Sequence, residues 1–456
     1  MSDGMRDGSP AAPARAPQPE GSRSLWAVKF RQVLASDQIL AWADQGLVSG
    51  LSFVVIGVLA WGADLAELGV YALCASIVAL GLATQDALVT RPYVLRQSRL
   101  PAREEEHSSD ALLLSLTLSV AGALVIGAAG ALAVISEALQ ARWTAVIGVL
   151  AIALPPIMAR EFVRRRAFAG LKFRQAFLLD VAVVGLNLVL LGLLAWLGRL
   201  NAASALGIQA LSCGVCAGVC LALQLNGNAV HLSRFRAAWN ASWTTGRWLF
   251  STQVALQVQG YASHWLSLVL LGAASTGIYT ACATLVSVVN PVLYGCLNLI
   301  VPRSARAFAR QGGVGVRRQA GKDAALLGAL TGGFCLLLVV AGESLIGRLL
   351  PGAAGNGALL AVLALTCFAG SLGVPAAVAL TSADRASLVT LASVFGAVCN
   401  LGLAFWLIPS FGLVGAAYAA LITESAGSVA RWTALFTLVP DNERGGAATI
   451  AEATPL

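Results

Sequence analysis

Apolar runs of roughly 20 residues, broken by short polar stretches, recur from about residue 42 to residue 438. That is the length a helix needs to cross ~30 Å of hydrocarbon. The pattern predicts spans at about 42–61, 68–90, 111–136, 143–162, 176–197, 204–224, 248–271, 277–301, 323–341, 357–382, 387–407 and 412–438. No stretch shows the alternation of a membrane strand, so the backbone must be satisfied within helices.

Two of these spans open on related words. Residues 69–78 read Gly-Val-Tyr-Ala-Leu-Cys-Ala-Ser-Ile-Val, and residues 277–286 read Gly-Ile-Tyr-Thr-Ala-Cys-Ala-Thr-Leu-Val. Five of the ten positions are identical, and three more are conservative exchanges. An echo between spans two and eight predicts two copies of one six-helix unit. An even number of crossings returns the chain to its starting side, so the copies are parallel repeats related by an axis along the membrane normal. The expected fold is an all-α polytopic membrane protein of about 12 transmembrane helices in two parallel six-helix lobes. The expected organisation is a disordered cytoplasmic tail at 1–24, a first lobe at 25–225 that opens with an interfacial amphipathic helix, a cytoplasmic linker at 226–247, a second lobe at 248–440 and a cytoplasmic tail at 441–456.

Polar residues inside the spans fall into stripes. Gln253, Gln257, Tyr261, His264 and Ser267 share one helical face of span seven. Span one carries Trp42, Gln45, Ser49 and Ser52, and span eight carries Ser287, Asn290, Tyr294 and Asn298. Polar stripes on membrane helices face other helices or a wet cavity. With spans one and seven in equivalent repeat positions, the reading favoured here is a cavity. Asn290-Pro291, Pro155-Pro156 and Pro375 lie within spans, where proline removes a backbone bond and kinks the helix.

Composition agrees with the spans: 58% of residues are hydrophobic and 11% charged, against about 25% charged in soluble domains. The loops, tails and adjoining span ends of one side carry 27 of the 30 Lys and Arg residues, the other side only Arg142, Arg199 and Arg348. This bias predicts that both termini are cytoplasmic. It also accounts for the net charge of +8 without invoking nucleic acid. All nine cysteines lie in predicted spans, including the pair Cys213-Gly-Val-Cys216, which has no redox-fold context. No His/Cys spacing suits a metal, and no phosphate loop or nucleophile elbow is found. The sequence offers no cofactor site and no enzyme.

Charge within the spans is sparse. Glu424, near the middle of span twelve, and His264 are candidate coupling residues, with a structural hydrogen bond as the alternative for each. At the cytoplasmic ends, Arg160 with Arg164-Arg165-Arg166, and Arg303 with Arg306, are candidates to grip a pyrophosphate, because guanidinium forks bind phosphate bidentately. Anchoring to anionic lipid is the competing reading.

These residues resemble a family. Trp248, Gln253, Gln257, Leu271-Gly272, Gly277-Ile278-Tyr279, Ala283, Leu285, Pro291 and Pro302-Arg303 followed by Ala305-Arg306-Ala307 resemble the polysaccharide-transporter branch, of the O-antigen flippase type, of the multidrug/oligosaccharidyl-lipid/polysaccharide (MOP) superfamily. Leu68-Gly69-Val70-Tyr71-Ala72, and Arg160, Arg165-Arg166, Phe173-Arg174 and Asp180, fit in the first half. The resemblance runs from about residue 30 to 438. It implies two six-helix lobes around a cavity lined chiefly by the first, second, seventh and eighth helices. It further implies movement of undecaprenyl-pyrophosphate-linked oligosaccharide across the bacterial inner membrane for polysaccharide synthesis, with the polymerase and export machinery of that pathway as partners. The chain departs from many such flippases in having no Arg or Lys mid-membrane in spans seven and eight, so the resemblance leaves the grip on pyrophosphate to Arg91, Arg160, Arg303 or Arg306 near the cytoplasmic ends. An ion-coupled drug or metabolite antiporter of the same superfamily is the alternative; a membrane glycosyltransferase or polymerase is a lesser one. Antiporters of this kind use a buried carboxylate, and the sequence suggests only Glu424 for that part.

Overall fold

A computed structural model of the chain describes residues 21–99, 104–136, 141–224 and 234–441. Every long element is helical: α1 Gly21–Gly62, α2 Leu65–Gln85, α3 Arg91–Arg99, α4 Glu104–Ile135, α5 Ala141–Ala169, α6 Phe173–Trp196, α7 Ala202–Gln224, α8 Phe235–Leu271, α9 Ala273–Ser287, α10 Asn290–Leu349, α11 Gly357–Ser382, α12 Ala386–Phe411 and α13 Leu413–Leu438. Among the described residues, ten helices are long and apolar enough to cross a membrane. α10 supplies two crossings: Gly312 sits at φ 61°, ψ −147°, a left-handed break that divides it into arms at 290–311 and 313–349. α9 with the first arm forms span eight, interrupted as expected before Asn290-Pro291. α8, lowered in hydropathy by its polar stripe, is span seven.

Span two is also composite. Residues Asp86–Thr90 form a π-helical segment between α2 and α3, a widening frequent at functional sites. α1 runs unbroken through the stretch expected to hold an interfacial helix. Of the stretches expected as tails, 1–24 and 441–456, residues 1–20 and 442–456 lie outside the described residues, while residues 21–24 are not a separate tail but the start of α1. Of the 226–247 segment, residues 235–247 are the opening turns of α8. They dock on the first lobe, where a Cβ on Gly246 would stand 2.5 Å from the Ala87 carbonyl oxygen.

α1, α4, α5, α6 and α7 pack together as one lobe, and α10 to α13 as the other, joined by α8 through α12. Loops alternate between a basic end of the bundle and a far end. At the far end the lobes meet where α2 crosses α9. The contact is reciprocal. A Cβ on Gly69 would lie 2.0 Å from the Ala273 oxygen, and one on Gly277 would lie 1.9 Å from the Leu65 oxygen. Each glycine therefore meets the carbonyl one turn before the other glycine, as a two-fold relation between repeats requires. The echo in the sequence marks this crossing, where only residues without side chains let the backbones touch. Trp61 closes the same end by donating its indole N–H to the Leu349 oxygen.

Candidate functional site

The site begins with three helices that bury charge. On α5, Arg160 and Arg164 lie one turn apart, as do Glu161 and Arg165. α1 contributes Asp44 and α6 contributes Asp180, 1% and 0% exposed. Arg164 joins all three helices: Nη2 donates to Asp44 Oδ2 at 2.5 Å, Nε stands 2.8 Å from Asp180 Oδ2, and Nη1 donates to Glu161 Oε1 at 3.3 Å. Arg160 donates to Asp180 Oδ1 at 2.5 Å and to Glu161 Oε2 at 3.2 Å, and Arg165 donates to Glu161 Oε1 at 2.7 Å. Three arginines thus meet three carboxyl groups. Charges this deep persist only when paired.

Above this cluster lies a cavity of about 460 Å³. Ser52 of α1, Gln85 of α2, Asp86 and Thr90 of the π-helical segment, Gln209 and Cys213 of α7, and Gln253 and Gln257 of α8 line it, along with the arginines and Glu161 of α5. It thus lies between the first lobe and α8. Gln85 is held by hydrogen bonds to Ser115 Oγ at 2.8 Å and the Met158 oxygen at 3.0 Å, and Gln209 Oε1 accepts from Tyr71 at 3.2 Å. A second groove of about 330 Å³, almost wholly apolar, runs between α2, α8 and α12 along Ile77, Leu80, Val258, Trp265 and Leu401. Gln257 lines both spaces.

The residues singled out from sequence divide accordingly. Ser52, Gln253, Gln257 and Arg160 line the cavity, and Tyr261 lines the apolar groove beside it. Gln45 and Ser49 are half-buried on α1 but outside the lining, and the side chain of Trp42 is not among those described. His264 is wedged between Tyr261 and Tyr279, ring centroids 5.5 and 4.9 Å away, and belongs to neither space. Asn290, Tyr294 and Asn298 do not reach the cavity; Tyr294 is 53% exposed. Ser287 is outside the lining as well: the cavity is walled by the first lobe, α2 and α8, and neither α9 nor the first arm of α10 contributes to it.

The arginines divide too. Arg160 is occupied by Asp180 and Glu161, and Arg91, half exposed, pairs with Asp86 at 2.8 Å. Arg303 and Arg306 line a separate pocket at the basic end. Glu424 is held within the second lobe. It accepts from Gln259 Nε2 at 2.8 Å and lies 3.8 Å from Arg431. Asp44 and Asp180 are buried acids that sequence reasoning did not weigh for the coupling role, because each stood near a predicted helix end. Gln85 and Gln209 were also passed over, although a lone glutamine within an apolar span was the available signal. Among the described residues no group of three or more His, Cys, Asp or Glu is placed to hold a metal.

Solved transporters share this fold. An inward-facing multidrug resistance MATE family transporter of the MOP superfamily superposes with TM-score 0.66 at 14% identity, covering 92% of this chain and 96% of its own. The chain has the MATE transporter fold. An outward-facing structure of a MATE family transporter gives TM-score 0.53 at 14% identity, covering 89% of this chain and 92% of that one. A MOP superfamily transporter from Pyrococcus furiosus, described as having a binding pocket of reverse polarity, gives 0.59 at 13% identity, over 88% and 97% of the two chains. No family model matches the sequence, and no curated protein matches it.

Proposed function

We propose that the protein is an alternating-access membrane transporter that moves an amphiphile, a polyprenyl-pyrophosphate-linked oligosaccharide, across the bacterial inner membrane. The observation that carries this reading is the shared wall at Gln257. A polar cavity and an apolar groove adjoin there, so a sugar head can sit against glutamines while a hydrocarbon tail stays among Leu80, Val258 and Leu401. Passing a sugar through lipid without such a lining leaves hydroxyls unpaired at several kcal/mol each. In this scheme the headgroup is bound from the cytoplasmic side, while the far end is sealed by α2 and α9.

Gln257→Leu is expected to lower flipping of a fluorescent polyprenyl-pyrophosphate sugar in proteoliposomes by about tenfold, roughly the effect of one lost hydrogen bond to a charged or well-buried partner. Unchanged flipping by this variant would remove the argument from the shared wall.

A cation-coupled exporter of small molecules is the second reading. The MATE neighbours and the buried pair Asp44 and Asp180 favour it, and a space of about 460 Å³ is the size of a small-molecule site. Two features weigh against it. Both aspartates are engaged by Arg164, and Glu424 is engaged by Gln259. Under the flippase reading Glu424→Gln leaves transport intact, because an amide keeps the hydrogen bond to Gln259. A loss of pH- or sodium-dependent dye efflux on that change would favour the exporter.

A further inference from the structure

Between the two arms of α10, at the basic end, lies a concave pocket of about 380 Å³. Its walls carry Arg303, Arg306 and Arg310 from the first arm, and Arg318 and Lys322 from the second. The spacings of three, four and four residues put each set on one helical face, and the elbow turns the two faces toward each other. Glycine makes the elbow. Gly312 takes the left-handed conformation, a Cβ on Gly313 would lie 2.1 Å from the Pro440 oxygen, and one on Gly315 would lie 2.7 Å from the Ala307 oxygen.

The arginines of this region are sorted by role. Arg317 turns away from the pocket and spends its guanidinium on the carbonyls of Gly313, Phe436 and Val439 and on Asp441. The five that line the pocket are exposed, and among the described residues none has a carboxylate within 4.0 Å. Asp323, the acid on this stretch, is buried, accepts from Gln319 Nε2 at 3.0 Å and attracts Arg303 and Lys322 from a distance, which among the described residues leaves Arg306, Arg310 and Arg318 without an acid. Arginines that only anchor a loop to a membrane surface can fan outward and keep apart. Here like charges stand one turn apart on both arms, an arrangement that is unfavourable when nothing neutralises it. A multivalent anion removes that repulsion and accepts several guanidinium forks at once.

We propose that this pocket binds a phosphate-bearing anion of two or more negative charges, at a site separate from the translocation cavity. The two share no residue, so the inference goes beyond the proposed transport activity and survives if the transported molecule carries no phosphate. The anion's chemistry is the same whether it comes from a lipid headgroup or from a soluble diphosphate, and the experiment separates the sources.

Full-length protein in nanodiscs of neutral phosphatidylcholine is titrated with inorganic pyrophosphate. In parallel, nanodiscs doped with phosphatidic acid are examined by native mass spectrometry for lipid retained after delipidation. Both are repeated with the combined variant Arg306→Gln, Arg310→Gln, Arg318→Gln. Pyrophosphate binding to the wild type that weakens by about tenfold or more in the variant supports the proposal and names a soluble anion. Phosphatidic acid retained by the wild type and lost by the variant supports it and names a lipid headgroup. Binding equal in the two proteins, or absent from the wild type in both arms, overturns it. If the glutamine variant does not elute as a monodisperse species, the matching lysine triple provides the same comparison: it keeps the charge, loses the bidentate forks, and is expected to bind more weakly than the wild type.

Discussion

Gly277→Leu is expected to hold the far end of the bundle apart and to lower transport by about tenfold or more. At this crossing a Cβ on residue 277 would stand 1.9 Å from the Leu65 oxygen, and one on residue 69 would stand 2.0 Å from the Ala273 oxygen. No rotamer relieves this, because the obstruction is backbone against the first side-chain atom; the helices must separate by more than an ångström. Overpacking of this kind costs roughly 1–3 kcal/mol. The cost falls only on the state in which α2 and α9 touch, so it acts as a bias between states. A difference of that size shifts the balance by about 5–150-fold. Folding should survive, since within each lobe the packing of α5 on α7 and of α10 on α11 is untouched. The check is a spin-label distance between Arg199→Cys in the α6–α7 loop and Ser410→Cys at the end of α12, both at the far end, in a background without the nine native cysteines. The distribution should lengthen in the leucine variant. If it keeps the wild-type distance, the crossing is not the closure that this account takes it to be.

The second large effect is on stability and belongs to the first lobe. Arg164→Met is expected to destabilise the protein by about 3–5 kcal/mol, the cost of leaving a buried charge without its partner. Asp44 and Asp180 come from helices 136 residues apart in sequence, at 1% and 0% exposure, and Arg164 contacts both. Arg160 still reaches Asp180 in the variant, but Asp44 keeps no cation. Since stability margins are of order 5–15 kcal/mol, the variant should melt well below the wild type in detergent. Combining it with Asp44→Asn removes the one carboxylate left without a cation, keeps Asp180 on Arg160, and should recover much of the loss. A methionine variant that melts with the wild type would show that the triad is not what ties α1, α5 and α6 together.

The same residues show what the sequence could and could not say. Span number and repeat relation were legible because both rest on local properties: apolar length, and a ten-residue echo whose glycine turned out to be the contact itself. The stripe on α8 was legible in part: Gln253 and Gln257 face one space, while Tyr261 lines the apolar groove and His264 packs between two tyrosines. The stripe on span eight was not. Its helix does not border the cavity, which is walled by the first lobe, α2 and α8, so no residue of the stripe, Ser287 included, reaches it. Nor can spacing separate a structural arginine from a free one. Arg164 and Arg306 both stood in runs that satisfy the positive-inside bias; one is locked between carboxylates from distant helices and the other faces an open pocket. That difference is set by which helices meet, which no local pattern records.

The central claim is that the polar cavity and the apolar groove together carry a lipid-linked sugar from one leaflet to the other. Its most direct test is the location of lipid-linked oligosaccharide in a strain lacking the protein. Spheroplasts of that strain are probed with a membrane-impermeant glycosidase before and after permeabilisation. The account predicts sugar that is protected until the membrane is opened, and exposed again when the wild-type protein is restored. Oligosaccharide digested without permeabilisation in the deletion strain would contradict it.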